Sequence, residues 1–241
     1  MEWRDEGVLL SARPHGETSV IAEVFTLGHG RHAGVVRGGA SRRQAAHMQP
    51  GGQVAVAWRA RLDDQIGSFT LEPLRARVGV LADAARLAAM SSACALLRLT
   101  LPERDPHPLL WQASVALLDA LEAGQGDWSL MYLLWERGLL EAIGFGLDLT
   151  SCAVTGATQG LAYVSPRTGR AVSREGAGDW VDRLLPLPAC LTTSGPVLPR
   201  AVAEGLGLTG HFLARALSQD RRGAALPEAR ARLVRALGGI A

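Results

Sequence analysis

Residues 53–61 read QVAVAWRAR. In an extended chain Val54, Val56, Trp58 and Ala60 share one side, and Gln53, Arg59 and Arg61 share the other. Apolar residues at period two with one wet face mark a half-buried strand. The next run, Ile66–Glu72, repeats the pattern, with Phe69 and Leu71 opposite Ser68, Thr70 and Glu72. Asp63-Asp64 between them supplies a hairpin turn. Working backwards, Gly7–Arg13, Thr18–Leu27 and Arg31–Arg37 read as three more strands, separated by Pro14-His15-Gly16 and Gly28-His29-Gly30. Five short strands this close together predict a small antiparallel barrel.

From about Leu81 the period changes. Ala84, Leu87, Cys94 and Leu97 fall near one helical face, and Leu110, Ser114, Leu117, Leu118 and Leu121 repeat this after Pro106 and Pro108. Asp127 is an N-cap for a helix over Trp128–Ile143, which Gly144 and Gly146 end. That helix is apolar almost all round, which places it centrally. Leu149–Gly178 is rich in Gly, Ser and Thr without helical period and reads as an inserted loop or small hairpin. Helices resume at Leu198–Glu204, Gly210–Ser218 and Glu228–Leu237, the last between Pro227 and Gly238-Gly239. The expected organisation is a barrel over 1–80 and a helical domain over 81–241.

A chain of 241 residues with 48% hydrophobic and 20% charged residues is globular rather than disordered. A net charge of +2 does not by itself announce a nucleic-acid partner. All 25 basic residues are Arg. Without Lys there is no GxxxxGK[ST] phosphate loop and no Schiff-base chemistry. Genome composition is the simplest source of that bias. Cys94, Cys152 and Cys190 form no CxxC pair, which favours a reducing compartment. The opening Met-Glu-Trp-Arg-Asp-Glu lacks the apolar core of a signal peptide, and the uncharged run Leu184–Pro199 holds four prolines, so no membrane helix is expected. The expectation is a cytoplasmic protein.

Val24–Leu62 contains no Asp or Glu but carries Arg31, Arg37, Arg42, Arg43, Arg59 and Arg61, with His29, His32 and His47. A one-signed strip on a small barrel suits a phosphate backbone, because each neutralised phosphate releases counterions and a guanidinium grips two oxygens at once. The glycines in Arg37-Gly38-Gly39-Ala40-Ser41-Arg42-Arg43 let backbone approach a ligand. A solvated face with a flexible loop is the plainer reading. Trp58, Phe25 and Phe69 are either base-stacking residues or barrel core. The three histidines lack a carboxylate or thiol nearby in sequence, so phosphate contact or exposure is favoured over metal binding. GxGxxG at Gly205, Gly207 and Gly210 follows a helical rather than a strand pattern, so it reads as a helix–helix connection, not a dinucleotide loop. On the last helix Ala229, Leu233, Ala236 and Leu237 make the buried face, and Arg230, Arg232 and Arg235 the exposed one. Nothing in the spacing points to a catalytic site.

Several segments resemble the bacterial RecO DNA-repair proteins. They are Trp3–Leu10, Gly34–Ser41, Met48-Gln49-Pro50-Gly51, Trp135–Phe145 and Leu161–Pro166, in the same order and at the same spacing. The resemblance implies an α+β protein: an N-terminal OB-fold followed by an all-helical C-terminal domain with a small irregular insertion. It implies a recombination mediator, not an enzyme, that needs no cofactor. Such proteins bind single- and double-stranded DNA, anneal complementary strands and engage the acidic tail of single-strand-binding protein. With RecR they help load RecA. The family's basic barrel surface falls on Arg37, Arg42 and Arg43 here. An acidic tail with an apolar end needs an arginine beside a hydrophobic pocket, and Arg137, Arg215 and Arg222 are the candidates. Many RecO proteins carry a four-cysteine zinc site. Here Cys152 matches the first ligand, but Thr155 stands at the second and the later pair falls near Ser173 and Gly176. One thiol does not hold structural zinc, so no metal is expected, and packing through Leu161, Tyr163 and Val164 must hold this degenerate finger at about 149–178. The competing reading is an adaptor whose barrel binds protein and whose arginines serve solubility.

Overall fold

The computed structural model describes residues 1–45, 48–62, 65–192, 197, 199–219 and 223–238, with only the backbone at Arg43, Ala45 and Pro199. The chain divides into two compact units, Met1–Gln125 and Gly126–Ala241. The change from strands to helices falls near residue 80. The units part later, because the first two long helices pack with the barrel.

The first unit opens with β1 (Glu2–His15), β2 (Ser19–Thr26) and β3 (Gly30–Val36), then the short helix α1 (Arg42–Ala45), β4 (Gln53–Arg59) and β5 (Ser68–Arg75). They close into a barrel in the order β1-β2-β3-β5-β4, which is the OB-fold arrangement. Strand β1 starts five residues earlier than its apolar pattern suggests. Its first half pairs with β4 (Glu2↔Arg59 to Val8↔Gln53) and its second half with β2 (Gly7↔Thr26 to His15↔Ser19). A bulge between Leu9 and Ser11 lets one strand serve both partners. Alternation then decides the core: Leu9, Val24, Val54, Val56, Trp58, Phe69 and Leu71 all point inward and are buried. At Gly34 an added Cβ would lie 2.6 Å from the Phe69 ring, so only glycine lets that ring close the barrel against β3. The proposed turn Asp63-Asp64 lies outside the described residues.

Helix α2 (Ala84–Thr100) is capped by Asp83, whose carboxylate accepts from the Ala85 and Arg86 amides at 2.8 and 3.0 Å. Helix α3 (Pro108–Ala123) starts on a proline and ends at Gly124 with φ 63°. Arg77 ties this pair to the barrel. Its side chain is fully buried and donates to Gly51 O, Gln53 Oε1 and Asp119 Oδ1 at 3.1, 3.2 and 2.7 Å.

The second unit contains α4 (Trp128–Ala142), β6 (Leu161–Val164), β7 (Ala171–Ser173), α5 (Arg174–Ala177), β8 (Leu185–Pro186), α6 (Pro199–Gln219) and α7 (Glu228–Gly238). Asp127 caps α4 as expected, accepting from the Leu130 amide at 3.0 Å. One side of α4 is central, with Tyr132, Leu133, Leu139 and Leu140 buried, while Met131 and Leu134 stay 40% exposed. The Gly-rich insertion forms a three-stranded sheet in the order β7-β6-β8.

Two expectations fail here for one reason. The glycines of GxGxxG are not a connection between helices; they lie inside the continuous 21-residue α6. A Cβ on Gly205 would sit 2.5 Å from Leu133, and one on Gly210 would sit 2.8 Å from the Arg230 guanidinium. The glycines thus give α4 and the α7 arginine room to approach. Arg230 itself is not on an exposed face. It is buried and forks onto Glu136, Nε to Oε1 at 2.7 Å and Nη2 to Oε2 at 2.9 Å. Thr209 Oγ1 donates to the same carboxylate.

Candidate nucleic-acid interface

Strands β1, β3 and β5 run one way, and β2 and β4 run the other. Connections after β1 and β3 therefore leave one end of the barrel, and those after β2 and β4 leave the other. The arginines of the acid-free segment do not form one strip. Arg37, Arg42 and Arg43 follow β3, whereas Arg59 and Arg61 end β4.

At the first end Arg37 and Arg42 are exposed, and among the described residues no ion pair holds either. The loop that carries them is shaped by its backbone. The Gly39 amide donates to Val36 O, Ala40 to Thr18 O and Ser41 to Gly38 O, at 3.1–3.3 Å. Gly38 has φ 69° and open space where a side chain would stand. The Gly39, Ala40 and Ser41 amides are thus already satisfied, so what this loop offers a ligand is its two exposed guanidinium groups beside an open glycine. The Arg43 side chain and His47 lie outside the described residues.

At the other end the acids come from β1, a strand outside the acid-free segment. Arg59 Nη2 pairs with Glu2 Oε1 at 2.9 Å, and this hydrogen bond holds the Glu2 carboxyl below its usual value. Arg61 is exposed, and together with Met1, Glu2, Arg59 and Ala60 it lines an open depression. His29 packs nearby on Trp3, with ring centroids 4.0 Å apart and planes 8° from parallel. Its Nδ1 lies 2.9 Å from Asp5 Oδ2. Burial raises the Asp5 carboxyl, but His29 and the Gly28 and Glu6 amides outweigh it and bring it below the ordinary range.

Arg31 must be withdrawn from the phosphate set. It is buried, and its donors are spent on Leu101 O at 2.9 Å, Glu23 Oε2 at 2.9 Å and Glu103 Oε1 at 3.5 Å. The aromatics Trp58, Phe25 and Phe69 are core, at 0%, 0% and 4% exposure. The aromatic surface lies instead at Trp3 and His29. Sequence reasoning missed it because Trp3 precedes the apolar pattern of β1. His29 and His32 contact aromatic rings, and among the described residues no cluster of His, Cys, Asp or Glu could hold a metal ion.

In the second unit Arg137 is half-buried on α4, and Arg222 lies outside the described residues. Arg215 lines a cleft of about 310 Å³ with Phe145, Phe212, Arg167 and the glycines at 144, 146 and 169. Its Nη1 donates to Pro166 O and Arg167 O, which fixes the turn between β6 and β7 against α6.

The insertion does not fit zinc. Positions 152, 155, 173 and 176 do converge, since a Cβ on Gly176 would lie 2.9 Å from Cys152 Sγ, 3.1 Å from Ser173 Oγ and 3.3 Å from Thr155 Cγ2. Only one of the four is a thiol. Cys152 Sγ instead accepts from the Val154, Thr155 and Ser173 amides and the Ser173 hydroxyl at 3.2–3.4 Å. Burial raises this thiol, but the bonds from Ser173 and Thr155 more than reverse it and lower its pKa to about 6. Cys152, Val172 and Ala177 form a small core on which Leu161, Tyr163 and Leu184 pack. Among the described residues no helix is long and apolar enough to cross a membrane.

The profile described as "Recombination protein O N terminal" matches residues 1–77, and "Recombination protein O C terminal" matches 81–224. A DNA repair protein RecO of Cereibacter sphaeroides is 59% identical over 237 residues, 98% of each chain. Those of Dinoroseobacter shibae and Ruegeria sp. are 57% and 50% identical over 235 and 238 residues, covering 97% and 98% of each chain. An OB barrel with an open arginine rim, joined to helices around a buried ion pair, thus has relatives over almost its whole length, and the chain belongs to the RecO family of DNA repair proteins.

Proposed function

We propose that this chain is a non-catalytic, cytoplasmic recombination mediator that binds single- and double-stranded DNA. It anneals complementary strands and, with RecR, helps load RecA. The observation that carries this reading is the rim beyond β3, where Arg37 and Arg42 stand exposed on a loop with an open glycine between them. Cations without carboxylate partners break no ion pair when they meet phosphate, and neutralising two strands lowers the repulsion that opposes their pairing. The test is anisotropy of a labelled single-stranded oligonucleotide at several salt concentrations. Tight binding that falls steeply with salt is the expected result. No binding at low salt would move the reading to a protein adaptor.

For the acidic tail of single-strand-binding protein, the Arg215 cleft is the favoured seat. It joins two arginines to two phenylalanines, and none of its lining residues is acidic. Arg215→Ala should weaken a tail peptide by about tenfold, the value of a charge-assisted hydrogen bond, while Arg137→Ala should not.

A further inference from the structure

We propose that the outer face of His29 is a nucleobase-stacking platform for single-stranded DNA, an inference that rests on the DNA-binding reading of the barrel. Three rings form a column from core to surface. Trp58 is fully buried, Trp3 lies 5.8 Å from it at 20°, and His29 lies 4.0 Å from Trp3 at 8°. Trp3 covers one face of the imidazole, yet 36% of the His29 side chain is exposed. That exposure therefore belongs to the opposite face and the edge. The ring is also fixed before any ligand arrives. Its Nδ1 is held at Asp5 Oδ2, and the Gly28 amide donates to the same oxygen at 2.8 Å. A base laid on His29 continues the column without ordering a side chain, and stacking of this kind tolerates every base. Arg61 leaves the same end of the barrel and is exposed, whereas Arg59 there is paired with Glu2.

The test uses the full chain and two labelled oligonucleotides of equal length and charge, one with normal bases and one abasic. His29→Ala should weaken the normal strand about five- to tenfold, the lower range for one stacked base. It should leave the abasic strand and the salt slope unchanged. His29→Phe keeps a flat face but not the Asp5 contact, and should restore the affinity. Equal loss on both strands would mean a backbone contact and overturn the platform, as would no loss on either or a His29→Phe variant as weak as His29→Ala. If the parent chain bound neither strand at any salt, the DNA-binding reading would fail with it. If the parent bound with a steep salt slope and His29→Ala matched it, the platform alone would fail.

Discussion

The barrel rim beyond β3 and the interior of the helical unit are both built on arginine, and they use it in opposite ways. At the rim Arg37 and Arg42 face solvent, with no carboxylate paired to them among the described residues. Inside the second unit Arg230 is enclosed and forked onto Glu136, a residue with no exposure at all. Burial pulls the Arg230 pKa down, and the Glu136 charge more than reverses it. A guanidinium is available to a ligand only where the fold leaves its charge unmatched. Local sequence often does not reveal that, because the matching acid can arrive from far along the chain, 94 residues away for Arg230 and 57 for Arg59, although Glu23 stands only eight residues from Arg31.

This contrast can be broken by mutation. The largest effect is expected for Arg230→Ala, which strands a buried carboxylate. It should cost about 3–5 kcal/mol in urea unfolding while leaving the DNA affinity of folded protein unchanged. Replacing the pair together, Glu136→Leu with Arg230→Met, should recover most of that loss, since apolar substitutes remove both desolvation penalties. Arg31→Ala should cost about 2 kcal/mol and leave the salt slope of DNA binding where it was. A flattened slope would return Arg31 to the phosphate set. The triple change of Arg37, Arg42 and Arg43 to Ala is the reverse case. Stability should move by less than about 0.5 kcal/mol, and the salt slope should drop by roughly two to three. An unchanged slope in a folded triple variant would remove the rim from the interface.

The legible parts of this fold were those fixed by neighbours in sequence. Period two at Val54–Trp58 marked the barrel, and Asp127 marked the start of α4. Glu2–Glu6 belongs to β1 but lacks an apolar alternation, because this stretch is paired with β4 while its side chains are largely exposed. Glycine 205, 207 and 210 look like punctuation, and only the packed neighbours Leu133 and Arg230 reveal the first and last as clearance, while Gly207 faces open space. The candidate site divided along the same line. Arg37 is a loop residue and Arg42 opens the short α1, and their exposure follows from the polar, Gly-rich stretch around them. Arg31 sits on a strand, and its acids come from β2 and from the α2–α3 connection.

The smallest expected signal is spectroscopic and extends the comparison to negative charge. Cys152 is lowered to about 6, whereas burial pushes Cys94 up to about 12 and also raises Cys190. A depressed thiol pKa stabilises the folded insertion at alkaline pH, and that contribution fades as pH falls through 6. Thiolate absorbance at neutral pH should therefore be present in the parent and absent in Cys152→Ala. Purified protein should carry no stoichiometric zinc, and one zinc per chain would show that the insertion holds metal after all.

Helix α6 has a consequence for how the chain reaches this state. Each interior glycine weakens an isolated helix by about 1 kcal/mol against alanine, so Gly205, Gly207 and Gly210 together disfavour α6 as an independent element. Nucleation is also the costly step for any helix. What offsets this is packing of the folded helix, with Leu133 closing on Gly205, Arg230 on Gly210, and Leu206, Phe212 and Leu213 buried. Formation of α6 is thereby coupled to its docking, because the contacts that offset its glycines come from α4 and α7 rather than from the helix itself.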